Sequence, residues 1–395
     1  MKNSVCLTLC FAFVLAGCSQ AADTPAFTEI RLGNTFSVMS GNSGFITAAF
    51  SPDGTKIIVG ARDNAAYILD AESGKELHKL PHTAWVRIAL FSPDGKKIVT
   101  SGDKNPVRVW DTESGKELYT LGKRININAA PFSPDSKRIV TVIPFLPNEK
   151  LEADTYIWDA ESGEKLLTLK HENYWWGPNA VFSPDSKKIA TVIGGVARIW
   201  DIESGEELQK SEKHVENMSG NPVFSPDGKK IAAANRGNTV RIWNVESGEV
   251  LQTLEGHTKS LNTIVFSPDG TKIVTTSEDE TARIWEAESG KEILKLGNPD
   301  DRINRSDWLY GRRYSTAKIQ FNKAVFSPDG RYVLTQGNQY DRTARIWDSE
   351  SGKELYVLRH SGVSSIVASF SPDSKKIVTS PGQAGGSTIR IWTLK

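Results

Sequence analysis

Five of the six histidines, His82, His171, His214, His257 and His360, stand nine to eleven residues before a copy of the tetrapeptide Phe-Ser-Pro-Asp. Imidazoles are common zinc ligands, and several of them converging would make a metal centre. The shared spacing argues the other way, because it fixes each histidine at one place in a repeated unit and so distributes them through the molecule. His171 opens His-Glu-Asn-Tyr-Trp, which lacks the second histidine of a zinc-protease helix. Oxygen ligands gather at Asp300, Asp301, Asn304 and Asp307, but their spacing fits no standard calcium loop, and Arg302 and Arg305 interrupt them. There is no Gly-x-Ser-x-Gly elbow and no glycine-rich phosphate cradle. The expectation is therefore no metal, no cofactor and no enzyme. The remaining chemistry is aromatic. Of eleven tryptophans, four (Trp85, Trp175, Trp176 and Trp308) fall outside the position that the repeat gives to the other seven.

Short strands must position these residues. Phe-Ser-Pro-Asp begins at Phe50, Phe91, Phe132, Phe182, Phe224, Phe266, Phe326 and Phe370, in steps of 41, 41, 50, 42, 42, 60 and 44. A period of this size, with four short strands (a to d) per unit, is the signature of an all-β propeller. In Ser-Pro-Asp-Gly the proline presets the first corner of a type I turn, and the glycine takes the left-handed conformation that closes the hairpin from strand a to strand b. Ser136, Ser186 and Ser374 replace that glycine, a less comfortable fit. Strands c end at Leu69, Trp110, Trp158, Trp200, Trp243, Trp285, Trp347 and Trp392, but a Glu-Ser-Gly turn leads on to strand d only seven times. The last unit lacks its outer strand and would leave an open edge. A strand from the amino-terminal side is expected to fill it: spacing favours Thr35 to Met39, whereas composition favours Phe27 to Leu32. The expected fold is an eight-bladed β-propeller of four-stranded antiparallel blades, with a seven-bladed ring and one irregular unit as the alternative.

These repeats resemble those of the WD-repeat family, from about Thr35 to Lys395. In that family a His before strand a, a Ser or Thr on strand b, an Asp in the b to c turn and the strand c Trp form a structural hydrogen-bonded network. The sixth unit matches at His257, Thr275, Asp279 and Trp285, whereas the second has His82, Thr100 and Trp110 but Lys104 in place of the Asp. The resemblance implies scaffolding of protein partners and little catalysis.

The chain opens with Lys2 and an apolar stretch from Val5 to Ala16, which reads as a removable secretory signal over residues 1–17. Twelve residues are too few to span a bilayer. Leu15-Ala16-Gly17-Cys18 resembles the lipobox of bacterial lipoproteins, which implies a lipid on Cys18. With Ser19 next in line, it also implies an outer-membrane destination facing the periplasm or the cell surface. Residues 18–34 would be a tether and 35–395 one propeller domain. Cleavage leaves Cys18 as the sole cysteine, so no disulfide framework is possible. Losing Lys2 takes the 48 basic residues to 47, against 47 acidic ones, and a neutral chain argues against nucleic acid as partner.

In an up-and-down blade, the two tight-turn families emerge on one face of the disc and the b to c and d to a connections on the other. The second face holds the variation. It receives the spare tryptophans and two insertions, residues 142–154 and 297–322. Trp, Tyr and Arg are enriched at binding hot spots. Trp85, Tyr174, Trp175, Trp176, Trp308, Tyr310, Arg312 and Arg313 are therefore the expected contact residues for an unidentified protein or peptide partner of a monomeric scaffold. Two rivals are a propeller enzyme with a central-channel site and a glycan-binding propeller that stacks sugars on these rings.

Overall fold

The computed structural model describes residues 30–37, 45–102, 106–122, 131–142, 154–171, 179–193, 196–210, 222–235, 238–297, 302–304, 308–309, 312–313, 316–318, 321–337, 343–359, 366–381 and 388–394. The expected signal, tether and Cys18 before residue 30, with Tyr174, Trp175, Trp176, Tyr310, His214, His360 and the insertion 143–153, lie outside these residues.

Blade 6 shows how sequence becomes sheet. Its strands, Leu261–Phe266, Lys272–Ser277, Ala282–Glu286 and Glu292–Leu296, pair in that order, each antiparallel to the last. Strand b is Lys-Ile-Val-Thr-Thr-Ser, buried at every position after the lysine, as a strand with neighbours on both faces must be. Strand d alternates exposure, because one of its faces meets solvent. Between Ile284 and Trp285 the register slips by a bulge, a local kink that re-aims the following side chain. The same slip precedes the equivalent residue of strand c, Leu69 or Trp, in blades 1 to 5 and 7. In blade 3 the inner strand is represented among the described residues by one bridge, Phe132 to Ile139.

The Ser-Pro-Asp-Gly turn is held from within. The Ser51 hydroxyl donates to Asp53 at 2.5 Å and accepts the Lys56 amide at 2.9 Å, while Gly54 sits at φ +73°. The three serines in the glycine's place adopt φ of 62°, 60° and 60°. Each offers its Oγ to an amide of the preceding blade: Ser136 to Asp94, Ser186 to Asp135 and Ser374 to Asp329, all at 3.0 Å. Left-handed strain at these positions is offset by a bond between blades that glycine cannot make.

Buried apolar residues form eight clusters, each shared by two successive blades. The last unites Ile57, Val59 and Leu69 of blade 1 with Val378, Ile389 and Ile391 of blade 8, so eight blades close a ring. Blade 8 is completed by Ile30–Ser37, which pairs antiparallel with Thr388–Leu394. This strand corrects both expectations for the donor. It joins Ile30 to Leu32 of the one segment to Thr35 to Ser37 of the other across a register shift between Leu32 and Thr35. Among the described residues, pairing therefore reaches back to Ile30, inside the stretch expected to be tether. The spacing rule assumed a short outer strand, but a bulge lets a strand of eight residues run the length of its seven-residue partner.

At roughly 0.5–1 kcal/mol net per ladder hydrogen bond, the six paired positions stabilise the ring by on the order of 3–6 kcal/mol. Deleting residues 1–37 is expected to lower the urea midpoint accordingly and to produce concentration-dependent oligomers in size-exclusion chromatography as the bared edge finds other chains.

Candidate functional site

The two faces of the disc differ as their turns do. On one, the strand a to b turn of blade 1 and the c to d turn of blade 2 line a common cleft of about 310 Å³ with Asp53, Lys56, Asp94, Asp111 and Glu113. Repeated ties cross this face between neighbouring blades. The Tyr119 hydroxyl donates to the Ala160 carbonyl, the Gln209 amide to Glu246 and the Gln252 amide to Glu288. Lys97 meets Glu161 at 2.5 Å, and Lys230 and Lys272 meet Glu288 and Glu350. These glutamates are more than 80% exposed, so each pair is solvent-screened and contributes little. The face is polar and nearly uniform from blade to blade.

Towards the opposite face, blade 6 brings His257, Thr275, Asp279 and Trp285 together. The Thr275 hydroxyl receives the Trp285 indole N–H at 2.8 Å and lies 2.7 Å from His257 Nε2, while His257 Nδ1 is 2.8 Å from Asp279. Burial alone would raise the Asp279 carboxyl, but hydrogen bonds from Thr281, His257 and the Thr258 amide overcome it and hold the group at about 2. Each polar atom has its partner, so the cluster clamps the d to a connection onto the b to c turn. Six tryptophans in all donate to a strand b threonine. In blade 5 Ala233 stands where Trp243 would find one.

Blade 2 departs from this pattern. His82 lies against the Trp110 ring at 5.5 Å, yet neither of its ring nitrogens has a hydrogen-bond partner, and burial and Arg108 push its pKa down to about 4. His171 stands edge-on to Trp200 at 5.5 Å and is pushed to about 4 by burial and Arg198.

Among the expected contact residues, Trp85 is the one whose side chain is described. It is 40% exposed, and the Arg62 guanidinium lies 4.6 Å from the centre of its ring. Gly102 makes this placement possible: a Cβ there would come within 1.8 Å of the Trp85 carbonyl oxygen. The backbone of His82 donates to the Asn64 carbonyl at 2.8 Å, which brings Arg62, Asp63, His82 and Trp85 to one corner of the loop-rich face. Arg62 Nε, Asp63 Oδ1 and both His82 nitrogens are buried there without partners. Sequence reasoning picked out Trp85 and missed Arg62 and Asp63, which occupy an ordinary b to c turn.

The insertion 297–322, expected as a loop, contains a hairpin. Arg302–Asn304 pairs with Thr316–Lys318, and Trp308–Leu309 with Arg312–Arg313; in the sequence two residues, the second a glycine, separate the latter two segments. A two-residue connection ending in glycine between short strands is a hairpin signal the sequence did carry. Trp308, Arg312 and Arg313 thus share one ribbon, while Trp85 belongs to the connection between blades 1 and 2. Among the described residues, no group of three or more His, Cys, Asp or Glu side chains could hold a metal ion.

Two stability measurements follow from these clusters. Thr275→Val strands the buried Trp285 and His257 nitrogens and should cost about 2–4 kcal/mol in urea unfolding, whereas Ala233→Thr should add up to about 1 kcal/mol. His82 and His171, ordinarily near 6.5, are held near 4. The unfolded chain then binds more protons between these values, so the stability is complete above pH 6.5 and drains away as pH falls towards 4. Replacing both residues with Gln should flatten that slope.

Among solved structures, the computationally designed Ika8 protein is similar with a TM-score of 0.67 and 19% identity, covering 90% of this chain and 98% of that one. At that identity the likeness shows the fold alone. No curated protein matches the chain. The model of the WD domain, G-beta repeat, matches residues 33–70, 74–111, 205–244, 248–286, 317–348 and 352–393, more than half of the chain. With eight blades closed in a ring and six of its tryptophans bound to strand b, this chain belongs to the WD40 repeat family.

Proposed function

We propose that this chain is a non-enzymatic scaffold that captures a protein or peptide partner on its loop-rich face while a lipid on Cys18 holds it to a bacterial envelope membrane. WD40 propellers commonly bind proteins or peptides, and the observation that carries the choice of face is the exposed Trp85 capped by Arg62 beside unpartnered buried polar atoms. A partner's peptide groups would satisfy those atoms and bury the ring, the pattern of a binding hot spot. Trp308, Arg312 and Arg313 of the hairpin strands add residues of the same types, as do Tyr310, in the same insertion of the sequence, and Tyr174, Trp175 and Trp176, which precede blade 4 in the sequence.

The donated strand supports an orientation. Ile30 faces Leu394, whose amide bonds the Lys375 carbonyl in a tight turn, so the strand starts at the tight-turn rim. The stretch between Cys18 and Ile30 spans at most about 40 Å, which turns the tight-turn face to the lipid and the loop-rich face away.

Substituting Trp85, Trp308, Tyr310 and Arg312 together with Ala should abolish partner capture from native envelope extracts and move Tm by less than about 2 °C, since none of the four belongs to a seam between blades and substitutions away from the core cost little. Undiminished capture refutes the face. Cys18→Ala should end metabolic labelling with palmitate and release the protein to the soluble fraction. Continued labelling refutes the anchor.

A further inference from the structure

We propose that the outer strands of blade 5 form a second docking surface, independent of the loop-rich face, which takes a partner segment by setting a carboxylate against Arg241 and an aliphatic side chain against Val250 and Leu251. The other blades show what this surface lacks. In blades 2, 4, 6 and 7 the arginine two residues before the strand c Trp pairs with the first residue of strand d, a glutamate: Arg108 with Glu117 at 2.9 Å, Arg198 with Glu207 at 3.0 Å, Arg283 with Glu292 at 2.6 Å, and Arg345 with Glu354. Blades 1 and 3 carry Tyr67 and Tyr156 instead, each with a strand d lysine over its ring, and in blade 8 Arg390 donates to the Arg359 carbonyl at 2.8 Å. In blade 5, strand c is Thr239–Asn244 and strand d is Val250–Leu254, so Val250 stands opposite Trp243 in the glutamate's place. Arg241 is kept, yet it makes no hydrogen bond or ion pair among the described residues.

Residues opposed across a ladder, or two apart along a strand, share a face of the sheet, which puts Arg241, Trp243 and Val250 together. Val250 is 47% exposed and Leu251 39%, two large apolar side chains bared side by side. Trp243 has lost its strand b acceptor to Ala233 as well, so this face holds donors without acceptors. The chain itself shows which guest fits. Each glutamate that pairs with a strand c arginine is followed by an aliphatic residue, as in Glu117-Leu118, Glu207-Leu208, Glu292-Ile293 and Glu354-Leu355, and a guanidinium bonds a carboxylate more strongly than a neutral acceptor. Glu246 and Glu249 lie in the adjoining turn, where Glu249 accepts the Ser247 hydroxyl at 3.2 Å. They repel a polyanion such as nucleic acid but tolerate one carboxylate among aliphatic side chains.

The intact chain should be titrated with the end-blocked peptide Val-Glu-Leu-Val, with its Gln and Lys counterparts and with an oligothymidylate, while NMR follows the arginine side chains. The Glu peptide should bind and shift the Arg241 Nε–H resonance. Its affinity should fall about tenfold or more when its Glu becomes Gln, at high salt, or in Arg241→Gln. Val250→Glu, which supplies the carboxylate from within the blade, should block the peptide and raise the urea midpoint. Trp85→Ala should leave peptide binding unchanged, which separates this surface from the loop-rich face. Failure of the Glu peptide to bind, equal binding of the Gln peptide, tighter binding of the oligonucleotide, or binding indifferent to Arg241→Gln and Val250→Glu overturns the proposal. Binding that appears only in Glu212→Gln also overturns it, since the arginine would then be satisfied within the chain, as does self-association that Arg241→Gln abolishes.

Discussion

Each blade is a thin sheet with two apolar faces, and only another blade can cover either. Strand b makes the constraint plain: Ile57, Ile58, Ile98, Val99, Ile273 and Val274 are fully buried, with successive side chains pointing into opposite interfaces. The strand c residue, Trp in seven blades and Leu69 in the first, belongs to the cluster shared with the preceding blade. Truncating a buried tryptophan of this kind to Ala costs about 3–5 kcal/mol, a large fraction of a domain's net stability. No blade is self-sufficient, and every one needs both neighbours.

Polar ties specify what the apolar seams drive. A tryptophan buried at an interface brings an indole N–H that must be bonded, and a threonine two residues along strand b supplies the acceptor. Where blade 1 puts Leu69 in place of Trp, Val59 stands in place of Thr, so donor and acceptor vanish together and leave a fully apolar seam against blade 8. The turn serines follow the same logic. A residue that sits awkwardly in its own turn is retained where its hydroxyl reaches the blade before it.

The ring was legible in the sequence because its determinants are local and repeated: a proline corner, a left-handed residue, an apolar strand and a terminal Trp. The tally of eight strands c against seven c to d turns pointed to a strand lent across the termini, but a spacing rule could not foresee the bulge between Leu32 and Thr35 that admits both candidate segments. The candidate site was less legible. Trp85 stood out as a tryptophan off the repeat, whereas Arg62 and Asp63 are ordinary turn residues until folding sets them beside it. The hairpin of 302–318 was obscured because its pairing is short and interrupted, without sustained alternation to mark it.

The repeat also explains why variation collects on one side. Tight turns on the first face are tied blade to blade by backbone and side-chain bonds, which leaves no room for insertion. The connections opposite are free to lengthen without disturbing a seam. Stitching the eighth blade from both ends has a temporal consequence. Ile30–Ser37 is synthesised before the strands of blades 1 to 7, whereas its mate, Thr388–Leu394, follows them. The growing chain must carry an orphan ribbon while seven blades are made, and the circle snaps shut only once that distant mate has been added.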